Sequence, residues 1–388
     1  MLKPLSRILR RLLTTHVAWP VLLSVGLLCT ASFLAFQVTD SAGGVDHSAL
    51  QLRHLLVASF IALLLLLPHY EWFGRLAYPA MALLTVLLGA VMLTAPINYS
   101  RRWFVLFGGL QIQPSEFAKL AFVLSLAWYL RYRKNFRLLS GLIGPFLLML
   151  IPSCLILVEP DLGTALLFPI VLYVMLIAAG ARLRHLLVIA LLALVALPGA
   201  YPLLKGYQKE RIKSLIIQVT SDHSEAFLRS YREGPGLQAY LSKVAIASGG
   251  LTGHGLDGAD LIRRGILPEA HTDFIFAVVG SQWGFLGCLL IIVLYLAFLA
   301  AALEIAASSK DPFSRLVAIG LATLLLAQAF INLAMTLGLG PVVGIALPFI
   351  SYGGSSLLTN MIAVGILLNI SIRRHTKTTS LSSHYAAS

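Results

Sequence analysis

Residues 274–303 read FIFAVVGSQWGFLGCLLIIVLYLAFLAAAL and contain no Asp, Glu, Lys, Arg or His. An α-helix advances about 1.5 Å per residue, so about 20 apolar residues cross a bilayer core of about 30 Å. The stretch is therefore long enough to cross a membrane. We predict one uninterrupted transmembrane helix that begins at Phe274, and this segment favours a membrane protein over a soluble one.

Nine further apolar runs of similar character occur along the chain. Together the runs predict an all-α, polytopic membrane protein with about ten transmembrane helices, organised as a single integral membrane domain over residues 1–388. The predicted spans lie near Val17–Phe36, Leu50–Leu67, Leu76–Ala95, Ser115–Leu130, Gly141–Val158, Leu162–Gly180, Leu186–Leu204, Phe274–Leu303, Ser314–Leu337 and Ser355–Ile370.

The composition excludes several other classes of protein. Hydrophobic residues make up 58% of the 388 residues and charged residues 12%, and the mean hydropathy is +0.87. A soluble domain usually contains about 25% charged residues. A water-soluble enzyme, a disordered scaffold and a fibrous repeat are therefore excluded.

The basic residues predict the orientation of the chain. The 29 Lys and Arg against 16 Asp and Glu give a formal net charge of +13. With the N-terminus in the cytoplasm, 16 basic residues fall in cytoplasmic segments, and nine fall in one long outer loop, residues 204–273, with eight acids. The positive-inside rule then predicts that both termini are cytoplasmic. We expect no nucleic-acid partner, and we expect part of the long loop to lie on the membrane surface as amphipathic helices.

The first polar region, residues 98–119, reads NYSRRWFVLFGGLQIQPSEFAK. Its final part opens a helix whose first turn holds Glu116. Lys119 lies three residues further on, so the two side chains share one helix face and can form an ion pair. Ionisable side chains in a membrane segment are costly and usually mark a functional site. Arg102 and Trp103 also fit a position at the lipid headgroups, so their role stays open.

A short acidic turn, residues 159–164 with the sequence EPDLGT, separates two predicted spans. Asp161 is suited to cap the N-terminus of the following helix. Together with Glu159 it could equally help to hold a divalent cation near a pyrophosphate group. The spacing leaves both interpretations open.

The long outer loop ends in a glycine-rich stretch and then in His271-Thr272-Asp273. Glycines at 249, 250, 253 and 255 lack the preceding strand and following helix of a dinucleotide site, so we predict a flexible re-entrant loop. Asp273 directly precedes the predicted helix at Phe274, where a partly desolvated carboxylate meets the positive end of the helix dipole. Taken alone, Asp273 could be only a helix cap, and His271 only a loop or packing residue.

The last outer connection contains GLGP at residues 338–341 and GIALPFISYGGSS at residues 344–356. Helix breakers and small polar residues at membrane depth are tolerated where the backbone is buried in protein or lines a cavity. We therefore predict that this connection forms a third wall of the same outward-facing site, with Ser351 among its polar side chains.

Together these stretches resemble the FtsW/RodA/SpoVE (SEDS) family of bacterial shape, elongation, division and sporulation proteins, and the likeness covers nearly the whole chain. The residues that carry it are 102–103, 113–119, 159–164, 267–276 and 347–356. The resemblance implies a peptidoglycan glycosyltransferase that polymerises lipid II at the outer face of the bacterial cytoplasmic membrane. It also implies a class B penicillin-binding protein as transpeptidase partner, within the elongation or division machinery. The Asp-Leu-Gly-Thr sequence and the short N-terminal tail lean toward RodA, the elongation branch.

Residue by residue, the resemblance implies that Asp273 is the essential outer aspartate of the family, and that Trp103 is its signature tryptophan. We expect Asp273 to act as general base in an inverting single displacement. We predict no metal-ligand set, and the one cofactor that the pattern allows is a divalent cation, Mg²⁺ or Mn²⁺. The predicted substrate-binding residues are Arg102, Trp103, Glu116, Lys119, Asp161, Gln238, Lys243, His271 and Ser351.

The chain departs from the family at residues 280–282, Gly-Ser-Gln, where members commonly carry one or two glutamates. Any acid–base role of those glutamates is absent here. Two other functions stay open from the sequence: a lipid II flippase or transporter, and a non-catalytic scaffold for cell-wall synthesis. A transporter would carry ionisable residues near the bilayer midplane, whereas the charges in this chain cluster at the outer edge.

Overall fold

The protein is described here by a computed structural model, which covers residues 16–41, 46–95, 101–105, 111–203, 206, 208–211, 213, 235–255, 262 and 264–373. Within these ranges the chain is mainly α-helical, with one small antiparallel pair of strands. The predicted all-α architecture is confirmed. The part of the long loop between residues 214 and 234, which includes part of the predicted amphipathic surface, lies outside the described residues.

The described residues form eleven α-helices and two short strands. The helices are α1 (Ala18–Ser41), α2 (His47–Leu64), α3 (Tyr70–Val91), α4 (Pro114–Leu130), α5 (Ile143–Val158), α6 (Leu162–Ala179), α7 (Leu183–Ala200), α8 (Pro235–Ser248), α9 (Ile275–Ser308), α10 (Pro312–Thr336) and α11 (Gly354–Arg373). The strands β1 (Phe104–Val105) and β2 (Gln111–Ile112) pair antiparallel, with Phe104 opposite Ile112.

Each predicted membrane run corresponds to one of these helices. Eight helices in the described ranges are long and apolar enough to cross a membrane: α1, α2, α3, α5, α6, α9, α10 and α11. The other two runs correspond to α4, which has 17 residues, and to α7, which has an apolar part of 14 residues at Leu183–Ala196. The chain is therefore a multi-pass membrane protein. Helix α8 belongs to the long outer loop and packs against α9 and α10.

Helices α9 and α10 form the centre of the bundle. Helix α9 packs against α1, α8 and α10, and α10 also packs against α4 and α6. Large aromatic side chains fill this centre, among them Phe276 and Phe298 of α9. By contrast, Phe60 of α2 and Leu191 and Leu192 of α7 are more than 60% exposed. Apolar surfaces of this kind suit contact with lipid.

Helix α9 is interrupted, so the prediction of an uninterrupted helix is wrong. Gly284 lies inside it at φ 65° and ψ −158°, a conformation that essentially only glycine adopts. The kink leaves backbone N–H and C=O groups of α9 without helical partners, and the turn after α8 supplies those partners. The Phe285 N–H donates to the Gly250 carbonyl at 2.9 Å, and the Gly255 N–H donates to the Gln282 carbonyl at 3.0 Å. The glycine-rich stretch is thus a hydrogen-bonded turn that allows close backbone contact with α9.

Candidate functional site

Asp273 lies in a tight turn immediately before α9. The carbonyl of Glu269 accepts hydrogen bonds from the backbone N–H groups of Thr272, Asp273 and Phe274, at 3.1 to 3.2 Å. Glu269 itself adopts a left-handed conformation with φ 53°, which is uncommon for a residue other than glycine. The N-cap residue of α9 is Phe274, and no side chain caps this helix end. Asp273 is therefore not a helix cap, which removes the simplest alternative for this residue.

Two neighbours fix the position of Asp273. The Nδ2 group of the buried Asn332 donates to the backbone carbonyl of Asp273 at 2.8 Å and to the carbonyl of Ile345 at 2.7 Å. The Asp273 carboxylate lies against Gly344, where a Cβ would be 3.2 Å from Oδ2. Gly344 also has φ 72°, so glycine is suited to this position both for its backbone conformation and for its lack of a side chain.

The surroundings of Asp273 raise the pKa of its carboxyl group to about 7. Burial is the main cause, because a charged carboxylate is poorly solvated there, and the negative charge of Glu269 adds to it. The positive charges of Arg211 and Arg102 act in the opposite direction. A carboxyl group with this pKa can both accept and release a proton near neutral pH.

The connection between α10 and α11 passes through the protein interior without forming a helix. Its carbonyl groups are satisfied by side chains from several helices. The donors are Ser32 of α1 to Ile350 O, Gln51 of α2 to Ser351 O, Tyr295 of α9 to Pro348 O, Gln328 of α10 to Ala346 O, Asn332 of α10 to Ile345 O, and Arg211 to Val343 O. The backbone here is therefore buried in protein, which is one of the two situations that tolerate helix breakers at membrane depth.

Ser351 joins this connection to the turn that carries Asp273. Its hydroxyl group donates to the carbonyl of Thr272 and accepts the N–H of Leu347 at 2.7 Å. One residue further on, the Tyr352 N–H donates to the carbonyl of His271 at 2.9 Å. The Ser351 hydroxyl is therefore engaged within the protein both as donor and as acceptor, and the residue supports the turn.

Arg102 binds the acidic turn between α5 and α6 through backbone carbonyls. Its Nε donates to the carbonyl of Glu159 at 2.9 Å, and its Nη2 donates to the carbonyl of Pro160. Glu159 is 2% exposed, and no hydrogen-bond partner is present for its carboxylate in the described residues. Burial, followed by the charge of Asp161, raises the pKa of Glu159 to about 8.

Asp161 caps α6, as one of its two interpretations predicted. Its Oδ1 accepts the Thr164 N–H at 3.1 Å, while Oδ2 accepts from Gln113 Nε2 at 3.0 Å and from Ser115 at 3.5 Å. These bonds occupy the carboxylate with protein donors. Across the described ranges no group of three His, Cys, Asp or Glu side chains could hold a metal ion. The divalent cation stays a prediction.

Glu116 and Lys119 form the predicted ion pair, with 2.8 Å between Lys119 Nζ and Glu116 Oε1. Both side chains are buried, at 7% and 3% exposure. Thr359 of α11 donates to the second Glu116 oxygen at 3.1 Å, and Lys119 also donates to Gln328 of α10 at 3.3 Å. The pair therefore joins α4, α10 and α11, and Gln328 extends this network to the connection that packs on Asp273.

The remaining predicted residues lie before β1, on α8 and two residues before Asp273. Trp103 is partly exposed and precedes β1, and Gln238 and Lys243 are partly exposed on α8. Lys243 lies over Gly338, where a Cβ would be 3.3 Å from the Lys243 Nζ. The His271 ring lies against the His47 ring, with 4.4 Å between ring centroids. Burial and then the nearby His47 lower the pKa of His271.

The four sequence motifs meet in space. Gln113 bonds Asp161, as described, and Ser355 donates to the carbonyl of Gln111 at 2.9 Å. A Cβ at Gly163 would lie 3.1 Å from the carbonyl oxygen of Val343, so the acidic turn contacts the last connection. The charges of Arg102 and Asp161 both influence the pKa of Asp273. One site therefore contains Asp273 with basic and acidic groups around it.

Sequence reasoning missed Asn332 and Gln328. Both lie in the apolar run of α10, four residues apart, which places them on one face of the helix. Polar side chains within a membrane segment are expensive and usually functional, and this spacing was a signal that could have identified them. Arg211, which donates to Val343, was also missed because nothing in its local sequence distinguishes it from other basic residues of the long loop.

The Glu116–Lys119 pair yields a prediction about stability. Replacing Glu116 by Gln leaves a buried ammonium without its counter-charge, which costs about 3–5 kcal/mol. We expect the double variant Glu116→Gln/Lys119→Met to be more stable than Glu116→Gln alone, because neither charge then remains. Thermal unfolding of the purified variants in one detergent checks this. A double variant less stable than the single variant would contradict the predicted cost of the unpaired charge.

Comparisons with known proteins agree with the fold. The sequence matches the FtsW/RodA/SpoVE family, described as cell cycle proteins, over residues 10–376. A probable peptidoglycan glycosyltransferase FtsW from Trichlorobacter lovleyi is 38% identical over 330 residues, 83% of this chain and 82% of that protein. The stage V sporulation protein E of Bacillus subtilis is 36% identical over 280 residues, 71% of this chain and 72% of that protein.

Two solved structures are similar over 92% of this chain and 98% of theirs. The first comes from work on the structural coordination of polymerisation and crosslinking by a peptidoglycan synthase complex, with a TM-score of 0.77 and 30% identity. The second is the rod shape determining protein RodA of Thermus thermophilus, with a TM-score of 0.66 and 29% identity. On this evidence the chain belongs to the FtsW/RodA/SpoVE family.

Proposed function

We propose that this protein polymerises lipid II into glycan strands at the outer face of the bacterial cytoplasmic membrane. The names of its relatives support glycosyl transfer in peptidoglycan synthesis. The observation that carries the proposal is Asp273, a carboxyl group with a pKa of about 7 that is fixed between the start of α9, helix α10 and the α10–α11 connection. Such a group is suited to general-base catalysis at neutral pH.

In the proposed reaction, Asp273 accepts the proton of the acceptor sugar hydroxyl as that oxygen attacks the anomeric carbon of a second lipid-linked disaccharide. The lipid pyrophosphate leaves as the new glycosidic bond forms. Arg102 and Lys243 carry the positive charge that stabilises the departing pyrophosphate. Glu116 neutralises Lys119 in a buried ion pair, so we assign Lys119 no role at the pyrophosphate. The displacement in this proposal is single and inverting, without a covalent intermediate.

A cavity supports a lipid-linked substrate. It has a volume of about 550 Å³ and lies between α6, α9 and α10. Its wall is almost entirely apolar and includes Ile170, Val174, Leu296, Phe330 and Ile331. Phe330 and Leu296 are 71% and 54% exposed, so the cavity opens at the lipid-facing side. Ile331 directly precedes Asn332, so the cavity lies beside the part of α10 that binds the Asp273 carbonyl. A lipid tail that enters sideways from the bilayer would occupy this cavity.

A class B penicillin-binding protein is the proposed partner, supplying the transpeptidase. The similarity to a structure from a peptidoglycan synthase complex that coordinates polymerisation and crosslinking supports this assignment.

We also propose a role in cell elongation. The structural similarity to RodA favours it, while the relatives by sequence carry the names FtsW and stage V sporulation protein E.

Replacing Asp273 by Asn tests the general base. The amide keeps the size of the side chain but cannot accept the proton, so we expect polymerisation to fall at least a hundredfold, within the range for general-base catalysis of about 10²–10⁴. The measurement is glycan-chain length and amount from purified lipid II, with and without the penicillin-binding partner. Unchanged binding of that partner serves as the folding control. Full activity in Asp273→Asn would exclude this residue as the base, and no polymer from the wild-type complex would favour the flippase or scaffold alternatives.

The raised pKa of Asp273 predicts a pH dependence. The base must be ionised, so kcat/KM is expected to fall as the pH drops below about 7, by about tenfold per pH unit. Because the charge of Glu269 helps to raise this pKa, Glu269→Gln should move the midpoint to lower pH while the rate at pH 8 stays the same. Initial rates of lipid II polymerisation between pH 5 and pH 9 check both effects. A wild-type midpoint near 4, the ordinary range for Asp, would contradict this assignment.

Asn332→Leu tests the support of Asp273 by α10. It removes the donor to two buried carbonyl groups, those of Asp273 and Ile345, so the turn is free to shift. A displacement of about 1 Å at a reacting group can cost about a hundredfold in rate, and we expect kcat to fall at least tenfold with little change in KM. The matched control is Thr336→Val, because that buried hydroxyl bonds only carbonyls of its own helix. Equal losses in both variants would show that the effect is one of general stability.

A further inference from the structure

The junction of α1 and α2 contains a carboxylate with an unusual number of partners. Asp40, in the last turn of α1, accepts four hydrogen bonds. Its Oδ1 accepts from the His47 N–H at 3.1 Å and from the His47 ring Nδ1 at 2.8 Å, and its Oδ2 accepts from the Ser48 N–H at 3.1 Å and from the Ser48 hydroxyl at 2.6 Å. A carboxylate can only accept, so the bond to Nδ1 fixes the tautomer with a proton on that nitrogen. Asp40 therefore holds the His47 ring in one orientation.

The His47 ring lies against the segment that leads to Asp273. It lies against the His271 ring, with 4.4 Å between centroids and a tilt of 31° between the ring planes. The Tyr352 ring meets His47 edge-on at 5.1 Å and also lies near His271 at 6.0 Å. Three rings from α2, the Asp273 turn and the α10–α11 connection thus pack together at one point.

This ring cluster supports the Asp273 turn at a different point from Asn332. Asn332 binds the Asp273 carbonyl from α10, whereas His271 is two residues earlier and contacts α2. The turn itself is irregular, because one carbonyl, that of Glu269, accepts three N–H groups and Glu269 has a positive φ. A turn of this kind depends on contacts from outside, and the clamp formed by Asp40 and His47 supplies one of them from α1 and α2.

Capping of α2 does not by itself account for the Asp40–His47 bond. Asp46 already caps this helix, because its carboxylate accepts the Ala49 N–H at 2.8 Å. The two backbone bonds from His47 and Ser48 to Asp40 could serve the helix end as well. The bond to the His47 ring does not satisfy any backbone group, and its effect is to orient the ring that meets His271.

We propose that Asp40 and His47 are positioning residues for glycan polymerisation: Asp40 fixes the His47 ring, and this ring holds His271 and the following Asp273 in the reactive position. The inference rests on the proposed role of Asp273. Neither residue contacts the reacting atoms in this account. Their effect is on the rate of the chemical step and not on the affinity for lipid II.

The test compares His47→Asn, Asp40→Ala and the double variant in the full-length protein with its penicillin-binding partner. In His47→Asn the introduced amide places a donor where Nδ1 was, so the bond to Asp40 is kept while the ring against His271 is lost. We expect His47→Asn and Asp40→Ala each to lower kcat at least tenfold, with KM for lipid II within about twofold of wild type. Because both act through one ring, the double variant should be no slower than the slower single variant, within about twofold.

The matched control is Asp46→Ala, which removes a cap of the same helix without touching the ring cluster, and its kcat should stay within about twofold of wild type. Losses that multiply in the double variant, an equal loss in Asp46→Ala, or a change confined to KM would overturn the proposal. Thermal unfolding of each variant shows whether the folded protein is lost. If Asp40→Ala fails to fold, the kcat of His47→Asn alone tests the proposal, because this variant keeps the bond to Asp40. If only the proposal for Asp40 and His47 is wrong, Asp273→Asn is inactive and His47→Asn is active. If the proposed role of Asp273 as the base is wrong, Asp273→Asn is itself active.

Discussion

Between α10 and α11 the chain passes through the interior of a membrane protein without forming a helix, so its carbonyl groups need donors from elsewhere. Unsatisfied backbone groups in such surroundings cost several kcal/mol each. Side chains of α1, α2, α9 and α10 supply those donors, with Arg211 from the long loop. The rest of the site depends on this arrangement, because Gly344 and Ser351 of the same connection pack against Asp273 and Thr272.

The buried polar side chains therefore serve the site as well as the fold. Asn332 bonds the connection and the Asp273 turn with one amide group, and Gln328 links the connection to the Glu116–Lys119 pair. A buried ion pair contributes little to stability on balance, because desolvation offsets much of the attraction between the charges. The Glu116–Lys119 pair bonds Gln328 of α10 and Thr359 of α11, so it fixes α4, α10 and α11 relative to one another around the connection.

Much of the fold was predictable from the sequence because the bilayer imposes a length and a composition on each helix. The ten apolar runs, the Glu116–Lys119 pair and the Asp161 cap all follow from local rules of this kind. The kink at Gly284 was missed because its conformation depends on a turn some 30 residues earlier in the chain, near Gly253. The Asp40–His47 contact with His271 was missed for a similar reason, since residues more than 200 positions apart meet only in the folded protein.

The raised pKa of Asp273 depends on the whole arrangement, because its carboxyl group is desolvated in a turn that the connection and α10 hold in place. The most direct test is infrared difference spectroscopy of the protonated carboxyl band during a pH titration of the purified protein, with Asp273→Asn used to assign the band. We expect a band that is absent in this variant and that titrates with a midpoint near 7 in the wild type. A band that titrates near the ordinary Asp value of about 4 would show a well-solvated carboxylate and would contradict a desolvated general base at this position.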